Sequence, residues 1–200
     1  MVEIGGRTIL TRLVSSLSKY VNRIHVVVGY REEMIISLCA NLHRNVVIVR
    51  NPEYRTTNTV QSMALGARGL TGKTLFLDGD LIIDPVSLGV FLEKACKHPI
   101  LVAIAESSSE NPVNVDLMDS PCSQDALMVR AFAREAGRKY EWANVVAGPA
   151  RMLDGATGYV YERLAEHLPL DSAIIRLREI DTASDLELAK QFGAVLDTAT

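Results

Sequence analysis

Apolar β-branched runs alternate with amphipathic stretches through the first half of this 200-residue chain. Ile9, Leu10, Leu13, Val14 and Leu17 recur at helical spacing and predict a helix over 8–20. The run 24–28 then reads as a buried strand ending at Gly29. A helix over 32–42 follows, and then a strand over 46–49 that is stopped by Asn51-Pro52. A helix over 57–70 has Val60, Met63, Ala64 and Ala67 turned inward, with Thr56 or Thr57 as its cap. A strand over 74–77 ends in Asp78-Gly79-Asp80, and a helix over 86–96 and a strand over 100–105 close the pattern. Helices alternating with buried strands predict an α/β fold with a mostly parallel sheet and helices on both faces. Ligands of such sheets sit beyond the carboxyl ends of the strands, where Gly29, Asn51 and Asp78–Asp80 fall.

The second half is less regular. Residues 106–125 are rich in Ser, Asn, Asp and Pro and read as a long loop or a strand-poor excursion. Strands are expected over 126–133 and 142–147 with a turn near Gly137. A helix over 157–168, a strand over 174–180 and a helix over 182–196 follow. One domain is expected over 1–200, in two halves of about 1–105 and about 106–200.

Composition limits the function classes. Hydrophobic residues make up 48% and charged residues 22%, so the chain can bury a core. A net charge of −3 gives no field for general binding of nucleic acid or anionic membrane. No signal peptide and no bilayer-length apolar run is read. Cys39, Cys96 and Cys122 make neither a disulfide framework nor a close-spaced zinc site, and a cytoplasmic setting is expected.

Three groups of residues could carry chemistry. Asp78-Gly79-Asp80 is either a turn or, with carboxylates over a sheet edge, a seat for a hard cation such as Mg²⁺. Glu179-Ile180-Asp181-Thr182 with Asp185 also ends a strand and precedes a helix. Capping accounts for Thr182 and Asp185 better than for Asp181, which could share one ion with Asp80. Thr57, Asn58 and Ser62 begin a helix just after a strand, where an amide and hydroxyls can read a base or a ribose. A cap explains only one of them.

Taken in order, Val28-Gly29-Tyr30, Asn51-Pro52, Thr57-Asn58 with Ser62, Leu77-Asp78-Gly79-Asp80 and Glu179-Ile180-Asp181-Thr182 with Asp185-Leu186 resemble one family. It is the nucleotidyltransferases of the sugar-phosphate and phosphocholine cytidylyltransferase type, and the resemblance spans nearly the whole chain. It implies a Rossmann-like fold of the nucleotide-diphospho-sugar transferase type. It implies Asp80 and Asp181 as catalytic, metal-binding aspartates, with Mg²⁺ as the ion and Mn²⁺ as a substitute. It places Thr57, Asn58, Ser62 and Asp78 on the nucleotide, and Glu141 and Glu179 on the acceptor.

In that family a first strand and a glycine-rich loop with a Pro-Lys pair precede the segment that reads here as Val2–Leu10. The first strand is therefore expected to be missing. Unpaired buried backbone groups cost about 1–3 kcal/mol each, so either the strands over 24–28 and 74–77 pair directly, or another segment or a second copy, as in a homodimer, fills the slot.

The leading expectation is transfer of a nucleotidyl group, preferably from CTP, to phosphocholine, a phosphonate or a sugar phosphate, with release of pyrophosphate. A catalytically inactive nucleotide- or partner-binding homologue is one rival. A metal-dependent glycosyltransferase, for which Asp78-Gly79-Asp80 supplies an Asp-x-Asp, is the other.

Overall fold

The computed structural model describes residues 2–120, 123–135 and 137–198. The chain opens with a hairpin of β1 (Glu3–Ile4) and β2 (Arg7–Thr8). Gly5 and Gly6 turn it at φ 57° and 72°, where a side chain would strain the backbone. Thr8 caps α1 (Ile9–Leu17) by accepting from the Thr11 N–H. Then come β3 (Ile24–Val28), α2 (Glu32–Leu42), β4 (Val46–Arg50), α3 (Thr59–Ala67), β5 (Lys73–Leu77) and β6 (Leu81–Ile83). Asp84 and Pro85 start α4 (Pro85–Ala95), the aspartate capping the Val86 and Ser87 N–H groups. The second half runs β7 (Leu101–Glu106), β8 (Asn114–Ser120), β9 (Ser123–Ala133), β10 (Tyr140–Pro149), α5 (Val160–Ala165), β11 (Leu170–Ile174), β12 (Leu177–Glu179) and α6 (Ala183–Thr198).

The largest sheet has the order β5-β10-β7-β11-β9-β8. Alternate residues of β7 face opposite layers, and both layers are buried. Leu101, Ala103 and Ala105 join Leu13 and Leu17 of α1 and Leu88 and Phe91 of α4. Val102 and Ile104 join Val60 of α3 and Val160 and Leu164 of α5. Helices thus cover both faces, as the alternation of strand and helix predicts.

Four expectations are corrected. The sheet is mixed, not mostly parallel. β10 lies antiparallel between β5 and β7, and β8 and β9 form an antiparallel hairpin, while β11 runs parallel to β7. These strands arrive from hairpin-like returns rather than helix crossovers, so nothing imposes the parallel sense. Second, the loop expected over 106–125 contains β8 and the start of β9. A register shift at Asp116/Leu117 interrupts the period-two pattern that would have marked it. Third, 174–180 is not one strand. β11 ends at Ile174, and β12 leaves to pair antiparallel with β6, matching Leu177 to Ile83 and Glu179 to Leu81. Fourth, of the two outcomes expected for the strands over 24–28 and 74–77, direct pairing of β3 with β5 is not found among the described residues. β3 pairs with β4 in a separate parallel ribbon. Even so, Ile24 of β3 and Leu75 and Leu77 of β5 pack on the same apolar cluster.

Cys39 and Cys96 are free thiols, and Cys122 lies outside the described residues. Among the described residues no helix is long and apolar enough to cross a membrane.

Candidate active site

β5 delivers Asp78 beyond its carboxyl end, and the Asp78-Gly79-Asp80 link leads straight into β6. The β6–β12 pairing sets Glu179 across from Leu81, one residue after Asp80. Two segments about 100 residues apart in sequence thereby meet at one sheet edge. Carboxylate oxygens of Asp78, Asp80 and Glu179 all lie within 4.8 Å of one another. Asp80 Oδ1 is buried with no hydrogen-bond partner.

Crowding of this kind raises proton affinity. Burial first, and then the charges of Asp80 and Asp181, push Asp78 up to about 7. Burial, followed by the charges of Asp181, Asp80, Asp78 and Glu141, pushes Glu179 up to about 7. Asp80 is also raised, by burial and by Asp181, against an opposing backbone hydrogen bond. Asp181 is exposed, just past β12, and acts on all three of these groups by its charge. An unpartnered oxygen in a cluster of carboxylates suits a hard divalent cation, which takes oxygen ligands and offsets their repulsion.

A cavity of about 300 Å³ opens from the acids, lined among others by Asp78, Glu179, Asp181, Glu141, Trp142 and Tyr159. Glu141 is only 5% exposed, and its oxygens are occupied. They accept from the Ser108 and Ser109 N–H groups and from the Ser109 and Ser107 hydroxyls. Glu141 therefore reaches the cavity through the 107–109 loop that it holds. Arg178 joins that loop by donating to Ser108 Oγ at 2.8 Å.

The sequence reading missed Asn144. A register shift in β10 between Trp142 and Val146 puts it in the left-handed region at φ 54°. Its side-chain amide, on the cavity wall, donates to Glu179 Oε1 at 2.8 Å. No sequence signal marks this bulge, because Ala143-Asn144-Val145-Val146 reads as ordinary strand.

Thr57, Asn58 and Ser62, expected on the nucleotide, sit together at the start of α3. Asn51, buried, donates to Thr57 Oγ1 at 2.9 Å and to Ser62 Oγ at 3.0 Å. Asn58 is the N-cap, exposed, and donates to the Gly158 carbonyl at 3.1 Å, beside the cavity residue Tyr159. Gly29 is fixed by close approach, since a Cβ there would stand 2.6 Å from the Tyr54 side chain. Thr182 and Asp185 form a reciprocal cap on α6, and those bonds hold Asp185 below the usual carboxylate range. Arg7 is bound to Asp197, and Lys73 donates to the carbonyls of Ala95 and His98.

Residues 1–147 match the model of the MobA-like NTP transferase domain. The chain belongs to that family. Among curated proteins none matches the sequence significantly. Similar solved structures include HddC from Yersinia pseudotuberculosis, at a TM-score of 0.74 and 14% identity over 96% of this chain and 88% of that one. The inositol-1-phosphate CTP transferase from T. maritima follows at 0.71 and 16%, covering 98% and 84%. The CTP:phosphocholine cytidylyltransferase LicC from Streptococcus pneumoniae also reaches 0.71, at 14%, covering 96% and 87%. At such identities the likeness is one of fold. The MobA-like domain thus shares the architecture of nucleotidyltransferases, and its acids lie at the carboxyl edge of β5 and the end of β12.

Proposed function

We propose that this chain transfers a nucleotidyl group, preferably from CTP, to a small phosphorylated acceptor and releases pyrophosphate. The observation that carries the reading is the cluster of Asp78, Asp80 and Glu179, with its unpartnered Asp80 oxygen, of which Asp78 and Glu179 line the cavity. Asp80 and Asp181, supported by Asp78 and Glu179, would hold Mg²⁺, with Mn²⁺ as a substitute. When bound, that ion offsets the charge of an in-line transition state.

An acceptor phosphate is already anionic near neutral pH, so no side chain need remove its proton. One of its oxygens attacks the α-phosphorus, and the bond to the bridging β-oxygen breaks. Pyrophosphate leaves with the electron pair. Thr57, Asn58 and Ser62 shape the nucleotide side through the turn held by Asn51. Glu141 shapes the acceptor side through the serine loop. Asn144 orients Glu179 within the acid cluster.

One observation favours a second reading, a nucleotide-binding homologue without turnover. Among the described residues β3 and β5 are not paired with each other, and β3 lies in a separate ribbon with β4. The family match weighs against a glycosyltransferase.

The test is pyrophosphate release by the full chain with Mg²⁺, across four nucleoside triphosphates and a panel of phosphorylated acceptors. Release that requires Asp80, with CTP best, supports the transfer reading. Nucleotide binding without release supports the second.

A further inference from the structure

A second cavity of about 300 Å³ lies apart from the acids, and no residue lines both. Its two walls differ in chemistry. One is apolar, made by β6 (Leu81–Ile83) together with Leu13. The other carries Arg7 of β2, Arg12, Ser15 and Ser16 of α1, and Lys19 in the turn that follows. Positions 12, 15, 16 and 19 recur at helical spacing, so one stripe gathers them on the cavity side.

Cations outnumber acids on this wall. Asp197, near the end of α6, is the one carboxylate among the described lining residues. It accepts from Arg12 at 3.0 and 2.7 Å and from Arg7 at 3.1 Å. Those bonds, Arg12 before Arg7, hold its carboxyl below the usual range. Arg12 also donates to the Ile4 carbonyl at 2.9 Å, and its side chain is only 10% exposed. Of the five N–H bonds on each guanidinium, Arg12 thus uses three and Arg7 one. The side chains of Ser15, Ser16 and Lys19 have no hydrogen-bond or ion-pair partner among the described residues. Three cations against one carboxylate leave two positive charges in excess, in a chain whose net charge is −3. Guanidinium forks take phosphate oxygens through paired N–H bonds, and an ammonium takes them as a point charge. The apolar wall adds surface for whatever that phosphate is esterified to.

We propose that this second cavity binds a phosphate monoester with an apolar body. Arg7 and Lys19 hold the phosphate, the hydroxyls of Ser15 and Ser16 donate to its oxygens, and the body lies against β6. Arg12 stays on Ile4 and Asp197 and fixes the floor of the site. Asp197 is the built-in competitor, since its carboxylate engages Arg7 and repels the phosphate. The proposal does not rest on the transfer reading.

The full chain is titrated by calorimetry with phenyl phosphate, inorganic phosphate and phenol. EDTA is present, so that no divalent ion bridges a phosphate to the acid cluster. Phenyl phosphate should saturate a single site. Inorganic phosphate, lacking the apolar body, should bind about tenfold more weakly, and phenol should give no measurable heat. Lys19→Ala, at an exposed position, should weaken phenyl phosphate about fivefold, and Arg7→Ala about as much. Asp197→Asn should tighten it about fivefold, because the opposing charge is gone. Asp80→Asn should leave it unchanged. Urea unfolding checks that each variant is folded. Lys19, with no partner to lose, keeps the test decisive if Asp197→Asn does not fold.

No saturable binding of phenyl phosphate would overturn the proposal. So would phenol binding as tightly, a Lys19→Ala variant that binds like the parent, or a folded Asp197→Asn variant that binds more weakly. Loss of binding in Asp80→Asn would place the ester at the acids and overturn it as well. If phenyl phosphate binds as stated but no nucleotide yields pyrophosphate, the transfer reading falls and this site stands. If pyrophosphate is released but phenyl phosphate does not bind, the transfer reading stands and this proposal falls.

Discussion

Glu141 and Glu179 are both carboxylates on the wall of one cavity, and the chain treats them in opposite ways. Glu141 is almost wholly buried and accepts from two backbone N–H groups and two serine hydroxyls. Its charge is compensated by the protein itself. Glu179 has one amide, from Asn144, and three aspartates crowding it. Its charge is compensated by nothing described, and its proton affinity rises as a result. A carboxylate that the fold satisfies holds structure together, whereas carboxylates that the fold leaves repelling one another store a demand for a cation.

The largest test of this contrast sets Asp80→Asn against Glu141→Gln. Asp80→Asn should cut turnover by about 10²–10³-fold, the usual loss when a charge-stabilising group is removed, and leave stability equal or higher. Glu141→Gln should lower stability by about 1–3 kcal/mol, because serine donors lose an ionised acceptor, and cost far less in turnover. Pyrophosphate release and urea unfolding measure the two effects. Equal behaviour of the two variants would erase the distinction.

Next in size is the response to pH. Asp78 and Glu179 keep their protons until about pH 7 in the folded chain, against 3.8 and 4.5 for ordinary carboxyls. Between those values the folded state holds more protons than the unfolded one. The cluster's contribution to stability therefore falls as pH rises from about 4 to about 7, and levels off above that. A divalent ion competes with those protons. Mg²⁺ should raise the melting temperature at pH values above about 7 and have little effect near pH 5. A Mg²⁺ effect independent of pH would show that the ion binds elsewhere.

Asn144 supplies a smaller effect. Both Asn144→Gly and Asn144→Ala remove the donor to Glu179, but only glycine tolerates φ 54° freely. The alanine variant should be less stable than the glycine variant by about 1 kcal/mol in urea unfolding. The smallest effect belongs to the neighbour that only caps a helix. Thr182→Ala should cost about 1 kcal/mol of stability or less, and leave the pH dependence of the Mg²⁺ response in place.

Much of the first half was legible because it is local. β3, β4, β5 and the helices between them show in the sequence as apolar runs and helical spacing, since each strand is apolar and each helix buries one stripe. The second half was not, for identifiable reasons. The register shift at Asp116/Leu117 breaks the alternation of β8, and β12 is too short to signal its departure from the sheet. The same limit applies to the site. Asp78-Gly79-Asp80 and Glu179-Ile180-Asp181 announce themselves as acids at strand ends, but Asn144 becomes a site residue only through a bulge with no signature in sequence.

The sequence by itself determined where strands and helices alternate, and that acidic residues end strands in two places far apart along the chain. Both are properties of neighbouring residues, set by side-chain period and turn chemistry. The tertiary structure alone decided that β6 and β12 pair, and this brings Glu179 to Asp78 and Asp80. It alone decided that Glu141 is hydrogen-bonded by a loop of serines while Glu179 is set among three aspartates. The energy of a carboxylate depends on burial and on charges within a few ångströms, and those neighbours come from segments that only folding brings together.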